Sequence, residues 1–326
     1  MGHVEVSAPR TDALIRLPNG DAADDFPPCL RSLATWAVNG AVTVSATRTN
    51  VAADHTIFVG DAPSARRTDD GHVLLAVGDG WRAWVGSSLG TQAPVLPTSA
   101  NPLGPFLAAA LAVGEIFKRG RGIRRGRFLS ADGFSLWSGV RSANWADLDD
   151  GPAVGSAVLP PLHIVGSGAV GNAVAYILSS LGLNEGYIVL IDDDRYDVTN
   201  LNRCLIAGWT DIGDPKVDAV ARSLRAGGIE AFTFPKAIKC YAADARTGLR
   251  DDVARQVRNL IFEIVVSCVD KGMSRQDVQR LRPRFVALRK YAGPPGKDEL
   301  LFGPHGSRLF GMLQSARARW RKAARN

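Results

Sequence analysis

The chain has 326 residues, 46% of them hydrophobic and 22% charged, with a formal net charge of +7. That length is generous for one core and comfortable for two domains, and the composition excludes a disordered chain. No stretch approaches the ~20 continuous apolar residues of a membrane helix. The opening MGHVEVSAPRTD lacks the apolar core of a secretory signal, so the expected location is cytoplasmic, with no membrane partner. Cys29, Cys204, Cys240 and Cys268 form no CxxC pair and the five histidines are scattered. A disulfide framework and a structural zinc site are both disfavoured, which leaves oxygen-ligated ions such as magnesium.

In chain order, HTIFVGD (55–61), HVLLAVGD (72–79) and WRAWVGS (81–87) read as short strands parted by Gly and Asp turns. NPLGPFLAAALAVGEIFKR (101–119) predicts a helix, with Pro105 in the first turn and a glycine-rich basic loop to end it. That loop, KRGRGIRRGR (118–127), has six basic residues in ten, and the stretch Ser307–Asn326 is basic without an acid. Solvated surface is favoured over nucleic-acid binding for both, because no stacking or groove-reading motif accompanies them. The segment 142–160, acidic and then rich in Gly and Pro, sets a boundary between domains at 1–150 and 151–326.

Beyond it, LHIV (162–165), YIVLID (187–192) and IFEIVVSCVD (261–270) are apolar strands, with EAFTFPKAI (230–238) weaker. They alternate with helices over 171–181 and 216–228, which predicts an α/β fold with a parallel, doubly wound sheet. Gly166, Gly168 and Gly171 form GSGAVG between the first strand and its helix, and Asp192 ends the next strand twenty-one residues after Gly171. Glycine lets the backbone approach a phosphate, the helix amino end supplies free N–H groups, and an acid at that spacing reaches ribose hydroxyls. The usual owner of this pattern is a dinucleotide-dependent dehydrogenase, so an NAD-dependent oxidoreductase is one reading.

The residues after Asp192 favour another. The run IDDDRYDVTNLNRCLIAGWTDIGDPKVDAV resembles the ThiF/MoeB/HesA family, the relatives of ubiquitin-activating enzymes. The landmarks are Asp192 and Asp194, then Asn200, Leu201 and Arg203, then Gly213, Pro215 and Lys216; VVSCVDKGMSR adds Asp270 and Arg275. The resemblance covers roughly residues 160–286. It implies a Rossmann-like adenylation domain that uses ATP and Mg2+ to adenylate the C-terminal carboxylate of a ubiquitin-like or sulfur-carrier-like protein, or of a peptide. By the same resemblance Asp192 takes the ribose and Asp194 the ribose or metal. Asn200 orients a phosphate oxygen, Arg203 and Lys216 neutralise phosphates, and Asp270 holds the magnesium.

The resemblance further implies a homodimer or an intrachain pseudo-dimer, a conjugating-enzyme partner, and in some microbial members a link to phage defence. The first half, without a phosphate loop, would then be a smaller α/β, inactive adenylation-like half that lends an arginine such as Arg48, Arg66, Arg67 or Arg141. Cys204 and Lys271 replace the family's usual Gln and Asn, and the loop bearing a reactive cysteine is missing. Cys240, near Lys236 and Lys239, is the one thiol with neighbours that favour a thiolate. A nucleotide-binding pseudoenzyme scaffold is the second alternative. Asp193 and Asn202 read as turn residues.

Overall fold

The computed structural model describes residues 55–60, 73–86, 99–123, 130–154, 159–183, 186–247, 264–281, 283 and 285–288, together with four short strands before residue 46. Those strands are β1 (His3–Glu5), β2 (Ile15–Arg16), β3 (Ala22–Ala23) and β4 (Thr43–Ser45); β1 pairs β4 in parallel and β2 pairs β3 antiparallel. The chain divides into two compact units. One holds residues 49–157 and 180–182, the other 1–48, 158–179 and 183–326. No helix among the described residues is long and apolar enough to cross a membrane.

The unit of residues 49–157 is built on a five-stranded sheet in the order of the chain. Strand β5 (Thr56–Val59) runs parallel to β6 (Val73–Asp79), and β7 (Arg82–Gly86), β8 (Ala131–Ser135) and β9 (Arg141–Ser142) continue antiparallel. Helix α1 (Leu103–Gly120) lays Ala112 against Leu74, Ala76 and Val85 on one face. Leu75, Val77 and Trp84 pack with Trp145 and Leu148 on the other, as period-two alternation requires. The helix sits close: a Cβ on Gly104 would lie 2.2 Å from the Arg82 carbonyl oxygen. Lys118 and Arg119 in its last turn complement the helix dipole.

The second sheet is wholly parallel. Strands β10 (Leu162–Val165), β11 (Tyr187–Ile191), β12 (Glu230–Phe234), β13 (Ile264–Ser267) and β14 (Phe285–Leu288) lie in the order β12-β11-β10-β13-β14. The four residues of β10 are all buried, which is why the central strand reads as an uninterrupted apolar run. Helices α2 (Ala169–Ser179) and α3 (Lys216–Ala226) pack on each other, and α3 lies against β11 and β12. On the opposite face Val165, Val189, Ile191 and Val265 meet Ile238 and Tyr241 of α4 (Ile238–Thr247) and Val278 of α5 (Gly272–Arg280). This is the doubly wound Rossmann-like arrangement that the alternation of strands and helices predicts. From β10 the chain winds outward through β11 and β12, then returns to β13 on the other side. The strand order therefore reverses between β10 and β13, the switch point where open α/β sheets bind ligands.

His163 of β10 is 1% exposed, with its Nε2 3.3 Å from the Tyr241 hydroxyl. Burial drives its pKa down to about 4. The folded state thus holds a neutral imidazole while the unfolded chain takes up a proton near pH 6.5. The stability this contributes is fully present above that pH and is lost as pH falls from there towards 4, in all about 3 kcal/mol. Urea titrations at pH 7 and pH 4 should show the wild type losing about that much more than His163→Gln. Equal losses in the two proteins would contradict the assignment.

Candidate functional site

The three glycines of the loop after β10 serve three different needs. Gly166 has φ +95°, and a Cβ there would come within 3.0 Å of the Cys268 carbonyl carbon, so the turn runs tight beside the chain leaving β13. Hydrogen bonds hold it, from Gly166 N to the Ile191 oxygen (2.9 Å) and from Cys268 N to the Val165 oxygen (2.7 Å). Gly171, in the first turn of α2, would place a Cβ 2.0 Å from the Gly166 carbonyl oxygen. Gly168 faces open space, with no atom within 4 Å of an added Cβ.

Asp192 follows β11 and takes two backbone N–H groups. Ser167 donates to Oδ2 at 2.5 Å and Asp194 to Oδ1 at 2.9 Å. Burial raises its pKa and these N–H groups work against that rise. Asp194 has a side chain 63% exposed and pairs with Lys216, Oδ2 to Nζ 2.8 Å. The Lys216 N–H also donates to the Asp194 carbonyl (3.0 Å). Lys216 itself opens α3 behind Pro215 and is nearly buried.

Between Asp194 and Lys216 lies a loop whose neck is closed by Tyr196 N to the Asp214 oxygen and Gly213 N to the Tyr196 oxygen, both 2.9 Å, and by Arg195 Nη1 to the Gly213 oxygen (2.7 Å). Inside it a 3-10 turn, Val198–Asn200, is capped at both ends of one box. Asp197 accepts from Thr199 N (2.9 Å), and Asn200 Oδ1 accepts from Asp197 N (3.2 Å). Arg203 is exposed and its Nη1 donates to the Thr199 carbonyl and to Asn202 Oδ1. Farther on, buried Asp211 accepts from Gly208 N (2.8 Å) and from the Arg222 guanidinium.

Asp270 follows β13 and is exposed, and Arg275 braces the same loop by donating from Nε to the Val269 oxygen at 3.1 Å. The donors at this edge are carboxylate oxygens, the hard ligands that suit magnesium. Asp192, Asp193 and Asp194 bring one oxygen each within 4.8 Å of one another. That group contains Asp193, which reads as a turn residue in the sequence, and does not contain Asp270.

Among the described cysteines, Cys204 is buried and burial raises its pKa, against the pull of Lys216 and Arg203. Burial pushes the Cys268 thiol up to about 12. Cys240 is exposed, but Lys236 is paired with Asp244 at 2.8 Å. Arg141 is held by Asp132 through two hydrogen bonds. Arg48, Arg66, Arg67, Cys29 and the basic stretch 307–326 lie outside the described residues.

The structure thus brings Gly166, Gly168, Gly171, Asp192, Asp194 and Lys216 into one linked assembly at the carboxyl edge, with Asn200 and Arg203 on the loop it closes and Asp270 at the end of β13. The sequence pattern did not single out Asn172, 0% exposed, which holds this assembly from within. Its signal was an amide inside the apolar helix AVGNAVAYIL, since a buried polar side chain must find hydrogen-bond partners.

Residues 161–282 match the ThiF family and residues 1–131 the BilD N-terminal domain. A Bacterial E1-like protein BilD from Collimonas sp. is 29% identical over 162 residues, 47% of this chain and 33% of its own. The protein y4jF of Sinorhizobium fredii is 28% identical over 125 residues, 38% and 22% of the two chains. The chain thus spans a third or less of the length of these relatives. Among solved structures, E. coli MccB with succinimide is 25% identical over 40% of this chain and 36% of its own, at a TM-score of 0.31. MccB with ATP is 24% identical over 41% and 38%, also at 0.31.

The glycine geometry predicts a contrast between two single methyl groups. Gly171→Ala overpacks the helix against the loop and should cost about 2 kcal/mol or more in urea unfolding. Gly168→Ala should change stability by no more than about 0.5 kcal/mol. Equal costs would contradict the loop geometry.

Proposed function

Residues 161–282 are a ThiF-family domain, and from the site they build we infer that the chain binds ATP at the carboxyl edge of the parallel sheet and adenylates a carboxylate. The substrate class is the C-terminal carboxylate of a peptide or of a ubiquitin-like or sulfur-carrier-like protein. The observation that carries this reading is the linked set of opposite charges at the switch point, Asp192 on the glycine loop and Asp194 on Lys216, beside open space at Gly168.

In this reading the phosphates approach Gly168, where the amino end of α2 presents N–H groups and positive potential. The ribose falls to Asp192 and Asp194. Both Asp192 oxygens already accept backbone N–H groups, so Asp194 is the more open of the pair. The substrate carboxylate attacks the α-phosphorus, the bond to the bridging oxygen breaks, and pyrophosphate departs. Negative charge grows on the phosphoryl oxygens and the leaving group, and fixed cations stabilise it most where water is scarce. Lys216, nearly buried, and Arg203 are those cations, with Asn200 orienting a phosphate oxygen; Lys216 exchanges Asp194 for a phosphate as ATP arrives. Magnesium, when bound, would supply further positive charge to the phosphates, and Asp270 would hold it, with Asp194 serving either the ribose or the metal.

The preceding residues, 1–150, are read as a non-catalytic partner half. The raised pKa values of buried Cys204 and half-buried Cys268 keep both thiols protonated and favour release of the adenylate to another protein's thiol or amine, without a thioester on this chain.

The test is ATP–pyrophosphate exchange with a peptide or carrier ending in a free carboxylate. Lys216→Ala and Asp270→Ala should each lower the rate about a hundredfold or more while melting cooperatively. The same reaction on a non-reducing gel should show no thiol-sensitive adduct. Wild-type exchange rates in both variants would overturn the assignment.

A further inference from the structure

Beneath the carboxyl edge lies a buried amide that the adenylation reading does not use. Asn172 is 0% exposed and stands in the first turn of α2. Its Nδ2 donates to the Ser167 carbonyl at 2.7 Å and lies 3.1 Å from the Gly168 carbonyl. Its Oδ1 accepts from the Ile206 N–H at 3.1 Å. The Tyr196 hydroxyl, on a ring 3% exposed, is 3.0 Å from Nδ2. These partners fix which way the amide faces. Two carbonyls demand the NH₂ group and a backbone N–H demands the oxygen, so a flipped amide would oppose like to like at both ends.

The partners belong to two different segments. Ser167 and Gly168 are the glycine loop itself. Ile206 lies three residues beyond Arg203, and Tyr196 stands at the neck of the same loop. Cys204, Ile206 and Ala207 are all buried, so the backbone that carries Arg203 is anchored on its inner side. The Arg203 and Cys204 N–H groups in turn both donate to the Asn200 carbonyl, at 3.0 and 2.9 Å.

We propose that Asn172 is a positioning residue that locks the glycine loop to the loop carrying Asn200 and Arg203, so that the phosphate cradle and the phosphate-neutralising cation keep one fixed spacing. Asn172 reaches no substrate, being buried under the loop, and it acts through the backbone of both segments. The consequence for turnover rests on the adenylation reading above; the tether itself does not. Such a lock matters in the transition state more than in the ground state, because a flexible triphosphate tolerates a displaced arginine and a reacting phosphorus does not.

Amide hydrogen exchange on the full chain separates the two. In Asn172→Ala, exchange in residues 198–207 should rise about tenfold or more, while the strands 187–191 and 264–267 keep their protection. In pyrophosphate exchange the same variant should lose about tenfold in kcat with KM for ATP changed less than about threefold. Tyr196→Phe removes only one hydroxyl and should accelerate exchange in 198–207 by about threefold, which serves where Asn172→Ala does not fold. Unchanged protection over 198–207 in these variants, or loss of protection in every element together, overturns the tether. A rise in KM with kcat intact overturns the positioning role in turnover. A wild-type chain without pyrophosphate exchange would refute the adenylation reading alone, leaving hydrogen exchange to decide the tether.

Discussion

A carboxylate drawn partly out of water must be met by donors, and at the carboxyl edge of the parallel sheet that demand is filled by two backbone N–H groups. Ser167 supplies one from the loop after β10 and Asp194 supplies the other from the loop after β11, both to Asp192. Two neighbouring strands are therefore fastened just past their ends, where the ladder hydrogen bonds stop. With Asp192 fixed, Asp194 is turned so that its carbonyl takes the Lys216 N–H and its carboxylate the Lys216 ammonium. The start of α3 is positioned by those two contacts. A single half-buried acid thus ties together the glycine loop, the exposed acid and the nearly buried lysine.

The loop between Asp194 and Lys216 is long for a compact α/β domain, in which most connections are a few residues. It holds its shape by closing its neck with backbone hydrogen bonds, capping its own 3-10 turn through Asp197 and Asn200, and burying Asp211 against Arg222. Asn200 consequently has a structural duty along with its place near the site. Arg203 projects from a backbone whose inner residues are buried, so its carrier is fixed while its head remains in water.

Much of this was legible in the residues. β10 and β11 are apolar runs because both of their faces are covered, and the loop GSGAVG announces itself by spacing. The family landmarks Asp192, Asp194, Arg203 and Lys216 fell in register along the chain. Pairings between side chains distant in sequence were not legible. Nothing local says that Lys216 is held by Asp194, or that Lys236 turns to Asp244 when Cys240 is the nearer group in sequence. The strands of residues 55–86 were readable one by one. That β5 runs parallel to β6, with partners seventeen residues apart, and that β7 pairs with β8 across the intervening helix, from Arg82 to Ser135, depends on contacts no local pattern displays. Asn172 left only the faint mark of an amide among apolar neighbours, and its partners, Tyr196 and Ile206, are set by the fold.

The central claim is that this edge is an ATP site, and direct titration calorimetry tests it. ATP with magnesium added to the full chain should bind at one site per chain, and NAD titrated in parallel should give no saturable heat. NAD binding in preference to ATP, or no nucleotide binding at all, would contradict the account.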